Sequence, residues 1–295
     1  MKFSIKHTTQ YEYPSDVVVG YNLVHLQPRN TAVQSCSNFM LVVTPEPATV
    51  TQREDYFGNQ CSLFNVDQPH RYLTVTAISE VNVQRAAGPD PMQTPAWETV
   101  VENVLATETE EEFEAIQFRC ASPDIVSFVG LKEYALESFQ PGRPILAAAI
   151  DLTGRIFNDF QYDPWATTVN SEIREAFEKR RGVCQDFAHF QIGCLRELGI
   201  PARYVSGYIR TYPPEGQEKL VGSDASHAWP SVWCGRNVGW VELDPTNNQL
   251  VGNDYITVAI GRDYGDVCPV KGVIVGSSNQ NLAVSVNVEP IEDGS

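Results

Sequence analysis

The sequence predicts an α+β protein in which an antiparallel, sandwich-like β domain comes first and a segment of mixed helices and strands follows. Two observations carry this expectation. The opening residues alternate apolar and polar with a period of two, and from Trp97 onward apolar residues recur at three- and four-residue steps before strand-like runs return near the end.

The first strand is the clearest. Phe3, Ile5, His7, Thr9, Tyr11 and Tyr13 alternate with Lys2, Ser4, Lys6, Thr8, Gln10 and Glu12, so one face is buried and the other is wet. Val17 to Leu26, Phe39 to Val43, Ser62 to Val66 and Tyr72 to Val83 continue the pattern, separated by Pro28-Arg29-Asn30, Pro45-Glu46-Pro47 and Gly58-Asn59. Such spacing suggests an antiparallel sandwich. A chain of 295 residues suits two domains. The proline-marked stretch Pro89 to Pro95 divides it into residues 1–95 and 96–295, with 96–140 a helical connection.

Trp97 to Phe118 reads as an acidic helix whose Glu108, Glu110, Glu111, Glu112 and Glu114 form a solvated face. Further helices are predicted over Ile125 to Phe139, Ile145 to Phe160 and Ser171 to Arg180, the last capped by Asn170 or Ser171 and supported by Glu175 and Lys179. Strands return at Val273 to Val275 and at the alternating Leu282, Val284, Val286 and Val288.

A formal net charge of −16 and the lack of any basic stripe exclude nucleic acid as a partner. No run of apolar residues is long enough for a membrane helix, and the alternating start does not read as a secretory leader, so the expected location is cytoplasmic. Seven cysteines, an odd number without any Cys-x-x-Cys spacing, read as reduced thiols rather than a disulfide framework or zinc site. Dispersed histidines without His-Glu-x-x-His give no metalloprotease signature, so no metal or organic cofactor is expected.

Gly182-Val183-Cys184-Gln185-Asp186-Phe187 sits where a glycine turn becomes an amphipathic helix, with Ala188, Ile192, Leu195 and Leu198 at helical steps and a stop at Gly199-Ile200-Pro201. Cys184 therefore lies at a helix N-terminus, where unpaired amides and the positive end of the macrodipole favour a thiolate. Helix-start cysteines also occur for packing alone, and this segment leaves both readings open. His189 lies five residues on, roughly 140° around the helix, so it faces elsewhere and reads as a packing or solvent-facing residue. A base for Cys184 has to come from a distant part of the chain.

Ala225 to Trp233 and Val238 to Asp244 form a hairpin pattern around Cys234-Gly235-Arg236-Asn237. Centring the turn between Gly235 and Arg236 pairs Trp233 with Val238, Trp229 with Glu242 and His227 with Asp244, close enough for a carboxylate to hydrogen-bond an imidazole. His227 would then take the thiol proton and return it to a leaving amine, while Asp244 holds the tautomer. Taken singly, a histidine in an aromatic strand and an Asp-Pro turn are ordinary structural features. Their conjunction with Cys184 points to nucleophilic chemistry.

At these residues the sequence resembles the bacterial transglutaminase-like superfamily, whose fold is related to papain-like cysteine proteases. The motifs that carry the resemblance are Gly-Val-Cys-Gln-Asp-Phe-Ala-His at 182–189, Gly-Ile-Pro-Ala-Arg-Tyr-Val-Ser-Gly-Tyr at 199–208, Ser-His-Ala-Trp at 226–229 and Asp-Pro-Thr-Asn at 244–247. The opening His7 to Tyr13, the Asp55-Tyr56-Phe57-Gly58-Asn59 turn and Gly261 to Val267 resemble one bacterial branch that carries a preceding β domain.

The resemblance implies a papain-like α+β core with Cys184 as nucleophile, His227 as base and Asp244 as orienting acid. It also implies a peptide or protein substrate and cleavage of an amide through a thioester, with transfer to an amine or an inactive binding scaffold as alternatives. The Cys184 amide is a natural oxyanion donor, and Gln161 or Tyr162 are candidates for a second. Asp224 and Trp229 flank His227 and are candidates for the groove, although Trp229 reads equally well as core. Where this group often carries a glutamate two residues after that tryptophan, this sequence has Ser231. Lys179, Arg180 and Arg181 most simply compensate a helix dipole.

Overall fold

The computed structural model describes residues 1–169, 171–212, 225–277 and 279–291. Six strands come first: β1 (Lys2–Val17), β2 (Val19–Val24), β3 (Gln34–Thr44), β4 (Thr49–Glu54), β5 (Gln60–Val66) and β6 (His70–Val83). Helices α1 (Trp97–Ala106), α2 (Glu110–Ile116), α3 (Val129–Ser138) and α4 (Ile145–Asp159) follow. Then come the short strand β7 (Gln161–Tyr162), α5 (Ile173–Lys179), the short strand β8 (Arg181–Gly182) and α6 (Cys184–Glu197). The chain continues through β9 (Ala202–Ile209), β10 (Ala225–Trp233), β11 (Trp240–Asp244), β12 (Gln249–Leu250), β13 (Tyr255–Gly261) and α7 (Tyr264–Val267). It ends in β14 (Val270–Val275) and β15 (Asn281–Pro290).

The sandwich consists of two antiparallel four-stranded sheets, ordered β15-β1-β6-β3 and β14-β2-β5-β4. The two tail strands, counted with the second segment in the sequence division at residue 95, hydrogen-bond into these sheets at β1 and β2. β4 escapes the sequence reading because Thr49–Glu54 is exposed throughout and has no apolar alternation to signal a strand.

A third sheet, β12-β11-β10-β9-β13, forms the other half of the molecule. α6 packs across β9 and β10, with α3, α4 and α5 gathered against it. Phe187, Phe190, Ile192, Cys194 and Leu195 of α6 are buried in a core shared with Leu131, Ile145, Leu152 and Ile173. Arg180 ends α5 in the left-handed conformation and lies 4.2 Å over the Phe177 ring, a cation–π contact that covers the aromatic side of this core.

The inward face of β1 serves both halves. Phe3 and Ile5 pack in the helical core, whereas Tyr13 and Val17 pack between the two sandwich sheets. Two buried amide side chains tie the halves together more directly. Gln34 Nε2 donates to the Thr257 carbonyl and its Oε1 accepts from the Thr257 amide, each at 2.8 Å. Asn59 does the same to Ile260, again with two contacts of 2.8 Å. β13 is the last strand of its sheet, and these side chains satisfy backbone groups that an edge strand would otherwise leave unpaired.

The expected acidic helix is two helices. Thr107 takes a left-handed conformation at the end of α1, and the Thr109 hydroxyl accepts from the Glu112 amide as the cap of α2. Glu112 is not on a solvated face. It is buried, and its carboxylate accepts from Arg236 Nε at 2.6 Å while Glu108 accepts from Arg236 Nη2 at 2.7 Å. These contacts hold Glu112 below the usual carboxylate range and anchor the β10–β11 turn. The last connecting helix starts at Ile173 with Glu172 as cap, later than predicted, and keeps the Glu175–Lys179 pair at 2.6 Å.

Asn59→Ala removes both partners of the Ile260 backbone and should destabilise the protein by about 2–6 kcal/mol, since each of the two buried groups left unpaired costs about 1–3 kcal/mol. Urea unfolding measures this. A change below roughly 0.5 kcal/mol, the range of neutral surface substitutions, would show that the Asn59 contacts are dispensable.

Candidate active site

Cys184 is the first residue of α6 and is half-buried. The turn that presents it depends on Asp186, whose Oδ2 accepts from the Val183 amide at 2.8 Å and from the Thr167 hydroxyl at 2.6 Å. Gly182 leaves room for that carboxylate, since a Cβ there would stand 2.5 Å from Asp186 Oδ2. The parallel pairing of β7 with β8 places Tyr162 opposite Gly182 and Gln161 opposite Arg181. Tyr162 is pushed above its ordinary value by the partial burial of its ring and by the charge of Cys184.

His227 sits on β10 beside α6, and Asp244 ends β11. Their side chains meet, with 2.7 Å between His227 Nε2 and Asp244 Oδ2. The hairpin register differs from the expected one by two residues. Trp233 faces Trp240 and Ser231 faces Glu242, because the turn spans Cys234 to Gly239 and closes through the Gly239 amide on the Gly235 carbonyl at 2.7 Å. A shift of two keeps every side chain on its original face. His227 and Asp244 therefore still share a face, although the regular ladder stops short of them at Ser231.

Asp244 is fully buried and accepts five hydrogen bonds. Oδ2 takes His227 Nε2, Asn247 Nδ2 at 2.6 Å and Tyr255 Oη at 2.6 Å, and Oδ1 takes the amides of Thr246 at 2.8 Å and Asn247 at 3.3 Å. Burial alone would raise this carboxyl, but the bonds from His227, Tyr255 and Asn247 hold it below the usual range. With Nε2–H committed to Asp244, the other ring nitrogen of His227 is the one left for other partners, and Cys184 lines the same cavity. Burial pulls His227 down, yet Asp244 and Cys184 together hold it up to about 10.

The remaining expected site residues fall in different places. Trp229 does not line the groove: it is fully buried, packs edge-on against Tyr255 and donates its indole N–H to Glu242 at 3.2 Å. Ser231 lies directly across from Glu242, so a carboxylate does stand on this face, on the neighbouring strand and paired with Arg85 at 3.0 Å. Gln161 and Tyr162 are exposed beside the Cys184 turn. Asp224 lies outside the described residues. His189 is buried against Tyr204 and accepts from the Tyr264 amide at 3.1 Å, and burial pulls it down to about 4. It is a neutral packing residue.

Sequence reasoning missed Tyr255 and the role of Asn247. Asn247 was visible in the Asp-Pro-Thr-Asn motif, where an Asx turn predicts local bonds to the aspartate. Tyr255 carried no signal, because β13 reaches Asp244 only through the fold.

Among the described residues, His25, Asp55 and Cys61 form the one cluster with metal-ligand chemistry, each offering an atom within 4.8 Å of the others. It lies in the sandwich half, and its groups are already engaged. Asp55 accepts from the Phe57 and Asn59 amides and from Asn59 Nδ2, while His25 Nδ1 donates to the Cys268 carbonyl at 3.2 Å. Burial and the Asp55 charge push the Cys61 thiol up to about 11, the opposite of what a nucleophile needs. The cluster shapes the turn that aims Asn59 at β13.

The His227 imidazole should titrate by NMR with a midpoint near 10, against an ordinary value of 6.5. Because the folded value is the higher one, its contribution to stability is complete below the ordinary value and disappears as pH rises toward about 10. Asp244→Asn should bring the midpoint down sharply, since burial is then less strongly opposed. A wild-type midpoint below 7 would contradict the ion-pair description.

Residues 3–82 match the bacterial transglutaminase-like N-terminal region, and residues 132–245 match the transglutaminase-like superfamily. An uncharacterized protein of Mycobacterium tuberculosis is 41% identical over 99% of this chain and 93% of its own. A protein-glutamine gamma-glutamyltransferase of Pseudomonas aeruginosa is 33% identical over a shorter stretch, 32% of this chain and 15% of that one. The crystal structure of a candidate cysteine protease from Cytophaga hutchinsonii aligns with a TM-score of 0.75 at 22% identity, covering 100% of this chain and 92% of the other, which shows a common fold. This chain belongs to the transglutaminase-like superfamily and carries that superfamily's bacterial N-terminal region ahead of its core.

Proposed function

We propose that the protein cleaves peptide or related amide bonds through a thioester at Cys184, with His227 as proton carrier and Asp244 as its orienting partner. The supporting observation is the 2.7 Å bond between His227 and a fully buried Asp244, with Cys184 at the start of α6 lining the same cavity as His227. The thiolate adds to the substrate carbonyl, and the His227 imidazolium gives its proton to the amine as the carbon–nitrogen bond breaks. Neutral His227 then takes a proton from water, whose oxygen attacks the thioester and releases the acid. The Cys184 amide, in the first turn of α6 and so without an intrahelical acceptor, would donate to the developing oxyanion.

Transfer to an amine in place of water is the second reading. It is favoured by the similarity to the protein-glutamine gamma-glutamyltransferase of Pseudomonas aeruginosa. The cysteines of the chain are all unpaired, which supports a reducing, cytoplasmic setting. No helix among the described residues is long and apolar enough to cross a membrane.

Peptide libraries incubated with and without a primary amine, followed by mass spectrometry, separate hydrolysed from amine-linked products. Cys184→Ala should abolish both while the protein remains folded. Asp244→Asn should slow turnover by about 10²- to 10⁴-fold through loss of tautomer control. Full activity in Cys184→Ala would reject the nucleophile, and an unchanged rate in Asp244→Asn would reject the orienting role.

A further inference from the structure

Cys184 and His227 open onto a cavity of about 510 Å³ whose opposite side is the sandwich. The β1–β15 register pairs His7 with Val286, Thr9 with Val284 and Tyr11 with Leu282, so all six side chains share one face and all six line the cavity. They occupy the stretch of β1 between Phe3 and Ile5, which pack in the helical core, and Tyr13, which packs inside the sandwich. Val286 still packs in the helical core and Tyr11 packs against the sandwich core, whereas Val284 and Leu282 belong to neither. Burial falls along β15 accordingly, from 1% exposure at Val286 to 50% at Val284 and 57% at Leu282. Apolar side chains left half-open beside a reactive sulfur form a surface with something to bind.

The described residues lining the cavity include no aspartate, glutamate, lysine or arginine. His7 adds no charge: its two ring nitrogens contact Tyr208 Oη and Thr9 Oγ1, each at 3.0 Å, and burial pulls it down to about 4. Beyond the Cys184–His227 pair itself, an ionised group entering this space would lose water without finding a counter-charge.

We propose that Tyr11, Leu282 and Val284 form the specificity wall of the site, selecting substrates with an uncharged, apolar side chain next to the carbonyl that Cys184 attacks. This deepens the thioester reading above and rests on it. The acyl half stays tethered to sulfur after the amine leaves, so it is the half that a wall beside Cys184 holds through both steps. The sandwich, built from the first strands and the tail strand β15, thereby supplies substrate selection to a core that supplies the nucleophile.

Rates of Cys184 alkylation test the wall separately from the nucleophile. Iodoacetamide, which has no side chain, reports the sulfur alone. Peptidyl chloromethyl ketones carrying Leu, Phe, Lys or Asp next to the reactive ketone report the wall. In the wild-type protein, Leu and Phe probes should react about 10- to 100-fold faster than Lys or Asp probes, the range an apolar pocket can supply. Val284→Lys should reverse the order of the Leu and Asp probes while the iodoacetamide rate stays within about twofold. Leu282→Lys, also at an exposed position, should act in the same direction and covers the case in which Val284→Lys fails to fold. Fast iodoacetamide labelling of Cys184 with equal rates for all four peptidyl probes would overturn the wall and leave the nucleophile standing. Labelling of Cys184 no faster than of the other cysteines would overturn the nucleophile and the wall together.

Discussion

A carboxylate with no exposure to solvent is the constraint around which the candidate site is arranged. An ionised Asp244 in the interior is tolerable only if its oxygens are satisfied, and five donors from β10, the turn after β11, and β13 satisfy them. These donors have to be brought by three different pieces of the fold. The turn after Asp244 supplies two amides and the Asn247 side chain, β13 supplies Tyr255, and β10 supplies His227. Once Nε2 of His227 is committed to Asp244, the ring is held in the cavity that Cys184 also lines. The helix that carries Cys184 must then begin where it does, and Gly182 and Asp186 set that position.

The two halves are less separable than their sequence segments suggest. β14 and β15 extend sheets begun by β2 and β1, so the sandwich is closed by residues that follow the core in the chain. Gln34 and Asn59 reach from the sandwich to occupy the backbone of Thr257 and Ile260. β13 also carries Tyr255, one of the donors to Asp244. The same strand therefore links the joint between the halves to the hydrogen-bonding of the site. At Gly207 on β9, opposite both His227 and Thr257, an added Cβ would stand 2.1 Å from the Ile256 carbonyl oxygen, so the strands here pack with no room for a side chain.

Several particulars were legible from residues alone because they are local. Alternation in β1, the helical spacing after Cys184 and the glycine turn before it each depend on neighbours a few positions away. The hairpin estimate shows how far such reasoning reaches. Its turn was too short, so its register was displaced by two residues, yet side-chain direction in a strand has a period of two and His227 and Asp244 kept their common face. Reasoning from local charge failed at Glu112. A run of glutamates on a helix normally faces water, but here Arg236 arrives from the β10–β11 turn and makes burial affordable. Trp229 was ambiguous for a related reason. An aromatic residue beside a histidine belongs to a groove or to a core according to what packs over it, and Tyr255 packs over it.

By itself the sequence determined the α+β class, the strand faces, the helix that begins at Cys184 and the three residues that could form a relay, since all of these follow from periodicity, capping and motif chemistry within short windows. Tertiary structure decided what those residues meet: the five donors around Asp244, the neutral burial of His189, the amide bridges from Gln34 and Asn59, and the sheet face across the cavity from Cys184. The physical reason is that burial and hydrogen-bond partnership are properties of surfaces brought together over hundreds of residues, such as His7 against Tyr208, and no local pattern encodes which surfaces will meet.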